Sequence, residues 1–424
     1  MPGNVGTIAP GGIVSIVFAL RPVFTVALTA VIGACGGQTK RPSSDATRDG
    51  ELDGGLDGSA GGAGAALPLN CTGPNGDRVP VDGFALAWRD LPEPPRRSSH
   101  HRGGGFFAVG EQGVYVVSPA GTVQEFTLER PTNEAALLLV YPPSHAGNAF
   151  VVRWQDGWPT THDTHGNCLG SIAPGVATSA EGMPLDLEQM SFSGSGNRVV
   201  AQAGVLGLES FLTEYVQLHS LDGQLLTAVP LGGIEADLEA AASDEAVFVK
   251  LGDRLTRYAL DETLDWDLQF ESPITSYVVS PDGSRLAVGL SNGWVAHVAD
   301  GQITQLFEPE APLGRLRLSP NGVFTVASSV NPVRLARFES GEDLTPLVPP
   351  LQAVHTLDVS DDGEIVAGGT DESEAAHVLL YSPDGGLRWD CRVPDAVAHV
   401  TVQFADAGRA VFAWYQGYYF YLLL

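Results

Sequence analysis

Val278-Val279-Ser280-Pro281-Asp282-Gly283-Ser284-Arg285-Leu286-Ala287-Val288 consists of two short apolar runs joined by a Ser-Pro-Asp-Gly turn. An Asp-Gly or Asn-Gly pair supplies the positive φ that a tight connection between antiparallel strands requires, so the stretch reads as a β-hairpin. The same pattern returns at Arg317-Leu318-Ser319-Pro320-Asn321-Gly322-Val323-Phe324 and at Asp358-Val359-Ser360-Asp361-Asp362-Gly363-Glu364-Ile365. The serines at 280, 319 and 360 set a period near forty residues.

Looser copies lie around Ser193-Gly194-Ser195-Gly196-Asn197, Ser243-Asp244-Glu245 and Asp406-Ala407-Gly408. A second hairpin type alternates with the first, around Ser118-Pro119-Ala120-Gly121, Ser220-Leu221-Asp222-Gly223 and Ser382-Pro383-Asp384-Gly385. Two hairpins per period make four strands, the content of one propeller blade. Further inner hairpins at 84–109 and 137–152 bring the count to eight units, about 43 residues each; seven units of about 49 remain within the limits of such rings.

These repeats resemble WD40-like and quinoprotein-like (PQQ-repeat) β-propellers from about residue 80 to residue 424. The resemblance implies an all-β, single β-propeller, eight blades favoured and seven possible. The last unit ends after three strands, 400–404, 409–415 and 418–424, and residues 78–82 are expected to supply the fourth. Such pairing of N-terminal and C-terminal strands removes bare sheet edges. It makes the final Tyr418-Tyr419-Phe420-Tyr421-Leu422-Leu423-Leu424 a buried strand, since seven residues fall far short of a membrane span.

At the other end, Arg21 precedes the apolar run 23–32, which leads through Gly33 and Ala34 into Cys35. This resembles a bacterial lipoprotein signal, in which small residues fit the peptidase and the cysteine thiol accepts a diacylglycerol. Ile32 stands where such signals prefer leucine, and the segment before Arg21 is long and apolar; an uncleaved anchor or an ordinary secretory signal is the rival reading. Arg21-Pro22 divides the stretch into pieces shorter than a spanning helix. The expected organisation is a signal peptide over 1–34, a Gly/Asp/Ala-rich tether over 35–77 and a propeller over 78–424. Gly36 and Gly37 lack the aspartate that retains enteric lipoproteins in the inner membrane, which points to the outer membrane.

Composition narrows the partners. A formal charge of −27, with Lys40 and Lys250 the sole lysines, leaves little to neutralise phosphates, so nucleic acid is excluded as a partner. Hydrophobic residues at 44% against 17% charged are enough to build a core. In an oxidising compartment, lipidation of Cys35 leaves Cys71, Cys168 and Cys391. The expected disulfide is Cys71 to Cys391, because Cys71 precedes the closing strand and Cys391 sits on an outer strand of the neighbouring blade; Cys168 is then the odd thiol.

Two clusters are candidate sites. Arg96, Arg97, His100, His101 and Arg102 form a dense basic patch on an acidic chain, read as a loop able to dock an acidic surface. His162, His165 and Cys168 have a His-x-x-His-x-x-Cys spacing that could converge on zinc, although no second cysteine pair supports it and a polar loop is the simpler reading. Ser193-Gly194-Ser195-Gly196 occupies a turn slot and lacks the glycine two residues ahead of a serine nucleophile. Quinone enzymes of this architecture add adjacent cysteines, and the chain has no Cys-Cys pair, so no cofactor and no catalytic residue is expected. The reading is a monomeric, membrane-anchored scaffold that binds another envelope protein, similar in plan to the eight-bladed lipoprotein of the outer-membrane protein assembly machinery. The alternative is a propeller enzyme or carbohydrate-binding protein with a loop-built site on one face of the ring.

Overall fold

The computed structural model describes residues 70–424 apart from 88–90, 102–104, 131–134, 142–143, 145–146, 156, 177, 180–181, 207–210, 235–237, 308–312, 330–332, 338–342, 348–349, 394–399, 406–407 and 416–417. Among the described residues every element is a β-strand, and the strands form eight antiparallel sheets. Blades 1 to 7 are successive in the chain, spanning 97–127, 137–171, 186–234, 238–269, 274–307, 313–347 and 353–393; blade 8 spans 401–423 and borrows one strand from the N-terminal end. Within each blade the strands pair in chain order, and the first strands of neighbouring blades approach one another, so the first strand is innermost.

The repeat turn has a common hydrogen-bond plan. Ser280 Oγ accepts from the Arg285 amide at 3.0 Å and donates to Asp282 Oδ1 at 2.6 Å, while Ser319 Oγ accepts from the Phe324 amide at 2.9 Å and donates to Asn321 Oδ1 at 2.7 Å. Side chains thus satisfy turn amides that the ladder leaves over. Gly283 adopts φ 72°, and a Cβ there would come within 2.5 Å of Ser243 Oγ in blade 4. The glycine therefore serves both the turn and the close approach of adjacent blades.

Second strands are covered on both faces and read as continuous apolar runs, as sheets buried on two sides do. In Phe106–Val109 all four residues are buried. Alternation decides where each goes: Phe106 and Ala108 join the core shared with blade 8, whereas Phe107 and Val109 join the core shared with blade 2. Val366 likewise faces blade 8, with Ile365 and Ala367 facing blade 6. Eight such apolar clusters occur, one between each pair of neighbours, and the cluster joining blades 8 and 1 closes the ring.

The closing strand differs from the expected one. It is Gly83–Ala87, paired antiparallel with Tyr418–Leu423, and not residues 78–82. Pro80 cannot donate to a ladder, whereas Gly83–Ala87 supplies an unbroken run of amides. Residue 84 consequently belongs to blade 8, and the inner hairpin of blade 1 is Arg97–His100 with Phe106–Val109. A second correction concerns the tether: Asn70–Thr72, placed in it by the sequence reading, is a fifth strand on the outer edge of blade 7. There Cys71 lies opposite Cys391, and the two form a disulfide with S–S 2.00 Å and Cα–Cα 4.0 Å.

Candidate functional site

The basic cluster is not a loop. Arg97–His100 is the innermost strand of blade 1, and it splits its side chains between neighbours. Arg97 Nε donates to the Val140 carbonyl of blade 2 at 3.2 Å, while Gln403 Nε2 of blade 8 lies 2.7 Å from His100 Nδ1. Arg96 pairs with Glu111, and the His101 amide donates to the Gly105 carbonyl at 3.1 Å. Arg102 lies outside the described residues, as does Cys35. Arg97 and His100 thus bond to opposite neighbours, while Arg96 and Arg97 remain exposed. The strand's polar Arg-Ser-Ser-His sequence hides its strand character because an innermost strand need not alternate apolar and polar residues.

The zinc candidates do not converge either. His162 is buried, and its ring is held by a directed chain. Trp154 Nε1 donates to Thr160 Oγ1 at 2.7 Å, the Thr160 hydroxyl lies 2.7 Å from His162 Nε2, and His162 Nδ1 lies 3.1 Å from the Gly166 carbonyl. Since the carbonyl only accepts, Nδ1 carries the proton and Nε2 accepts from Thr160. Burial pulls this imidazole down to about pKa 4. Neither ring nitrogen is left for a metal.

His165, by contrast, is exposed and sets its edge against Phe126, with ring centroids 4.7 Å apart. Its turn is organised by Asp163, whose carboxylate accepts from the amides of His165 and Asn167 at 2.8 and 3.0 Å. Cys168 donates its amide to Glu129 at 2.9 Å and is itself disulfide-bonded, so the expectation of an odd thiol there is corrected. No free cysteine and no metal-competent group of His, Cys, Asp and Glu occurs among the described residues.

Features that the sequence reading passed over lie between blades 4 and 5. A cleft of about 370 Å³ opens there on the side of the repeat turns, lined by Glu245, Arg257, Trp266, Asp282, Ser284 and Asp300. Arg257 pairs with Asp265 and lies over the Phe248 ring, so three lining carboxylates keep the cleft acidic. Gly301 at φ 72° lets the blade 5 turn rest against Trp266, where a Cβ would come within 2.6 Å of the ring. The turns also meet across blades: the Asn321 amide donates to Asp361 at 2.7 Å, and Ser193 donates to Asp244 at 3.0 Å. Asp361 and Asp244 thereby fasten neighbouring blades to one another.

The fold is a WD40-like β-propeller. It is similar to the solved C-terminal WD40 domain of Sif2, with a TM-score of 0.56 and 11% identity over 81% of this chain and 98% of that one. No protein-family model matches the sequence, and no curated protein resembles it significantly.

Proposed function

We propose that the chain is a lipid-anchored propeller scaffold of the bacterial cell envelope, held through Cys35 and presenting its ring to another envelope protein. The observation that carries the reading is the double fastening of the segment leaving the N-terminal side. Asn70–Thr72 is covalently tied to blade 7 through Cys71 and Cys391, and Gly83–Ala87 then completes blade 8. Tension arriving from residues before 70 is delivered to Cys391 by a disulfide and never reaches the strand that closes the ring. That arrangement suits a body held from its N-terminal side. The bridge also suits an exported protein, since such bonds persist in oxidising compartments. A surplus of carboxylates favours a self-repelling monomer, and Gly36 with Gly37 favours the outer membrane.

Lipidation makes a chemical demand. A thioether at Cys35 leaves three cysteines for disulfides, an odd number, whereas Cys71, Cys168 and Cys391 are all disulfide-bonded here. The intact mass of unreduced mature protein decides the matter. A diacylglycerol adduct, lost with Cys35→Ser together with membrane association, supports the anchor; an unlipidated mass with two disulfides overturns it. Cross-linking in envelope preparations tests the scaffold, which fails if the tagged protein recovers nothing above an untagged control.

A further inference from the structure

We propose that the outer edge of blade 5 is a docking strand: it takes an extended, antiparallel segment of the partner whose apolar residues alternate and are followed at once by lysine or arginine. This deepens the scaffold reading and rests on it, naming the chemistry of the partner.

Sheet edges are templates for further pairing, and proteins blunt them with charge, proline, short strands or a cover. Six of the eight outer strands of this ring show those devices. Blade 1 carries Glu125, blade 3 Pro230, blade 4 Asp265 and Asp267, and blade 6 Asp343 and Pro346. Blade 2 ends in four residues with a bulge at Leu169, and blade 7 is covered by Asn70–Thr72; blade 8 ends in Gly83–Ala87, which has neither charge nor proline but whose Leu86 is buried.

Blade 5 has no charge and no proline on its edge and, among the described residues, no cover; its one irregularity is a bulge at Thr304, between Ile303 and Gln305. Its outer strand, Gln302–Phe307, reads Gln-Ile-Thr-Gln-Leu-Phe, six residues without charge or proline in a chain of net charge −27. Ile303 and Leu306 are 45% and 44% exposed. Among the described residues no strand pairs with its outer side. The chain itself shows that an outer edge accepts another strand, since Asn70–Thr72 adds antiparallel to blade 7.

Charge selects the occupant. Gln302 follows directly on Asp300 and Gly301, at the mouth of the acidic cleft lined by Glu245, Asp282, Asp300 and Trp266. An antiparallel guest ends beside Gln302, so the residue just after its strand reaches the cleft. Three carboxylates and an indole face suit an ammonium or guanidinium there. A second copy of this chain brings its own excess of carboxylates to the same place and is disfavoured.

The test uses the full chain and a labelled probe, acetyl-Thr-Val-Thr-Val-Thr-Val-Lys-Lys-amide, followed by fluorescence anisotropy and amide hydrogen exchange. Saturable binding is expected below about 1 mM, with added protection confined to residues 302–307. Ile303→Asp with Leu306→Asp should weaken it about tenfold or more, and Glu245→Gln with Asp300→Asn about threefold or more. A probe ending in Glu-Glu should bind about tenfold more weakly. Protection elsewhere, binding unchanged by the edge variant, or no binding overturns the proposal; because exchange is read on the native chain, the result does not depend on how well the variants fold. An envelope partner cross-linked equally by wild type and edge variant sinks the docking strand alone, whereas a partner recovered by neither sinks the scaffold reading.

Discussion

Phe106 and Tyr419 lie with ring centroids 4.3 Å apart, although one belongs to the first blade and the other to the last. Phe412 completes the contact, 5.1 Å from Phe106. This aromatic group is the seam at which the ring closes, and all three rings are buried. Truncating Phe106 to alanine opens a cavity on both sides of the seam, for an expected loss of about 3–5 kcal/mol. Chemical denaturation should show it, with Leu264→Ala, 56% exposed, as a control shifting stability by less than about 0.5 kcal/mol. Equal effects of the two substitutions would refute the closed ring.

The Cys71–Cys391 bridge spans 320 residues of sequence, and both cysteines are buried. Closing so long a loop restricts the unfolded chain, so Cys71→Ser with Cys391→Ser should cost about 2–5 kcal/mol. The loss should be larger when the folded body is pulled from its N-terminal side than when it is melted in solution, because only then does the bridge shield Gly83–Ala87. Thermal melting and single-molecule pulling of the same variant separate the two effects.

The turns made most of this architecture readable. Ser-x-Asp-Gly and Ser-x-Asn-Gly encode a hairpin through local hydrogen bonds, so each copy can be recognised without its surroundings. Pairing partners are another matter. Gly83–Ala87 is an apolar strand wherever it goes, and nothing local says that it joins residues 418–423 and not 97–109. Arg97–His100 lacks any apolar rhythm because its neighbours are two other innermost strands. The spacing of His162, His165 and Cys168 resembles a ligand set, yet one turn of strand pairing buries the first and exposes the second. The blade 5 edge left a faint signal, an uncharged stretch in an acidic chain, whose meaning depends on knowing which strands are outermost.

Three buried histidines should set the acid limit of the fold. Burial lowers His162, His219 and His297 to about pKa 4 each. The unfolded chain binds more protons than the native one between about pH 6.5 and pH 4, so stability rises with pH across that window and is lost as pH falls through it. Each group contributes roughly 3 kcal/mol at most. His377 runs the other way: burial opposes it, but Asp390 at 2.7 Å and Asp371 at 3.3 Å raise its pKa, so its contribution is present at low pH and fades as pH rises. Urea midpoints at pH 7, 5.5 and 4.5 should fall steadily, and a flat profile would show that the buried imidazoles are not held neutral.

Glu93 offers the sharpest single-residue test of how the strand-closing segment is fastened to blade 1. Its carboxylate accepts from the amides of Glu111, Gln112 and Gly113 at 3.0, 2.8 and 3.0 Å and from the Tyr115 hydroxyl at 2.9 Å. Burial alone would raise its pKa, but these donors outweigh it and hold the group below the usual glutamate value. Its contribution is therefore present above the unfolded pKa and lost as pH falls through the folded one. Glu93→Gln keeps the shape but removes the charge from a site built entirely of donors, and should cost about 1–3 kcal/mol at neutral pH. The deficit should shrink once the wild-type carboxyl is itself protonated. A constant deficit at every pH would mean that shape, and not charge, fastens the segment.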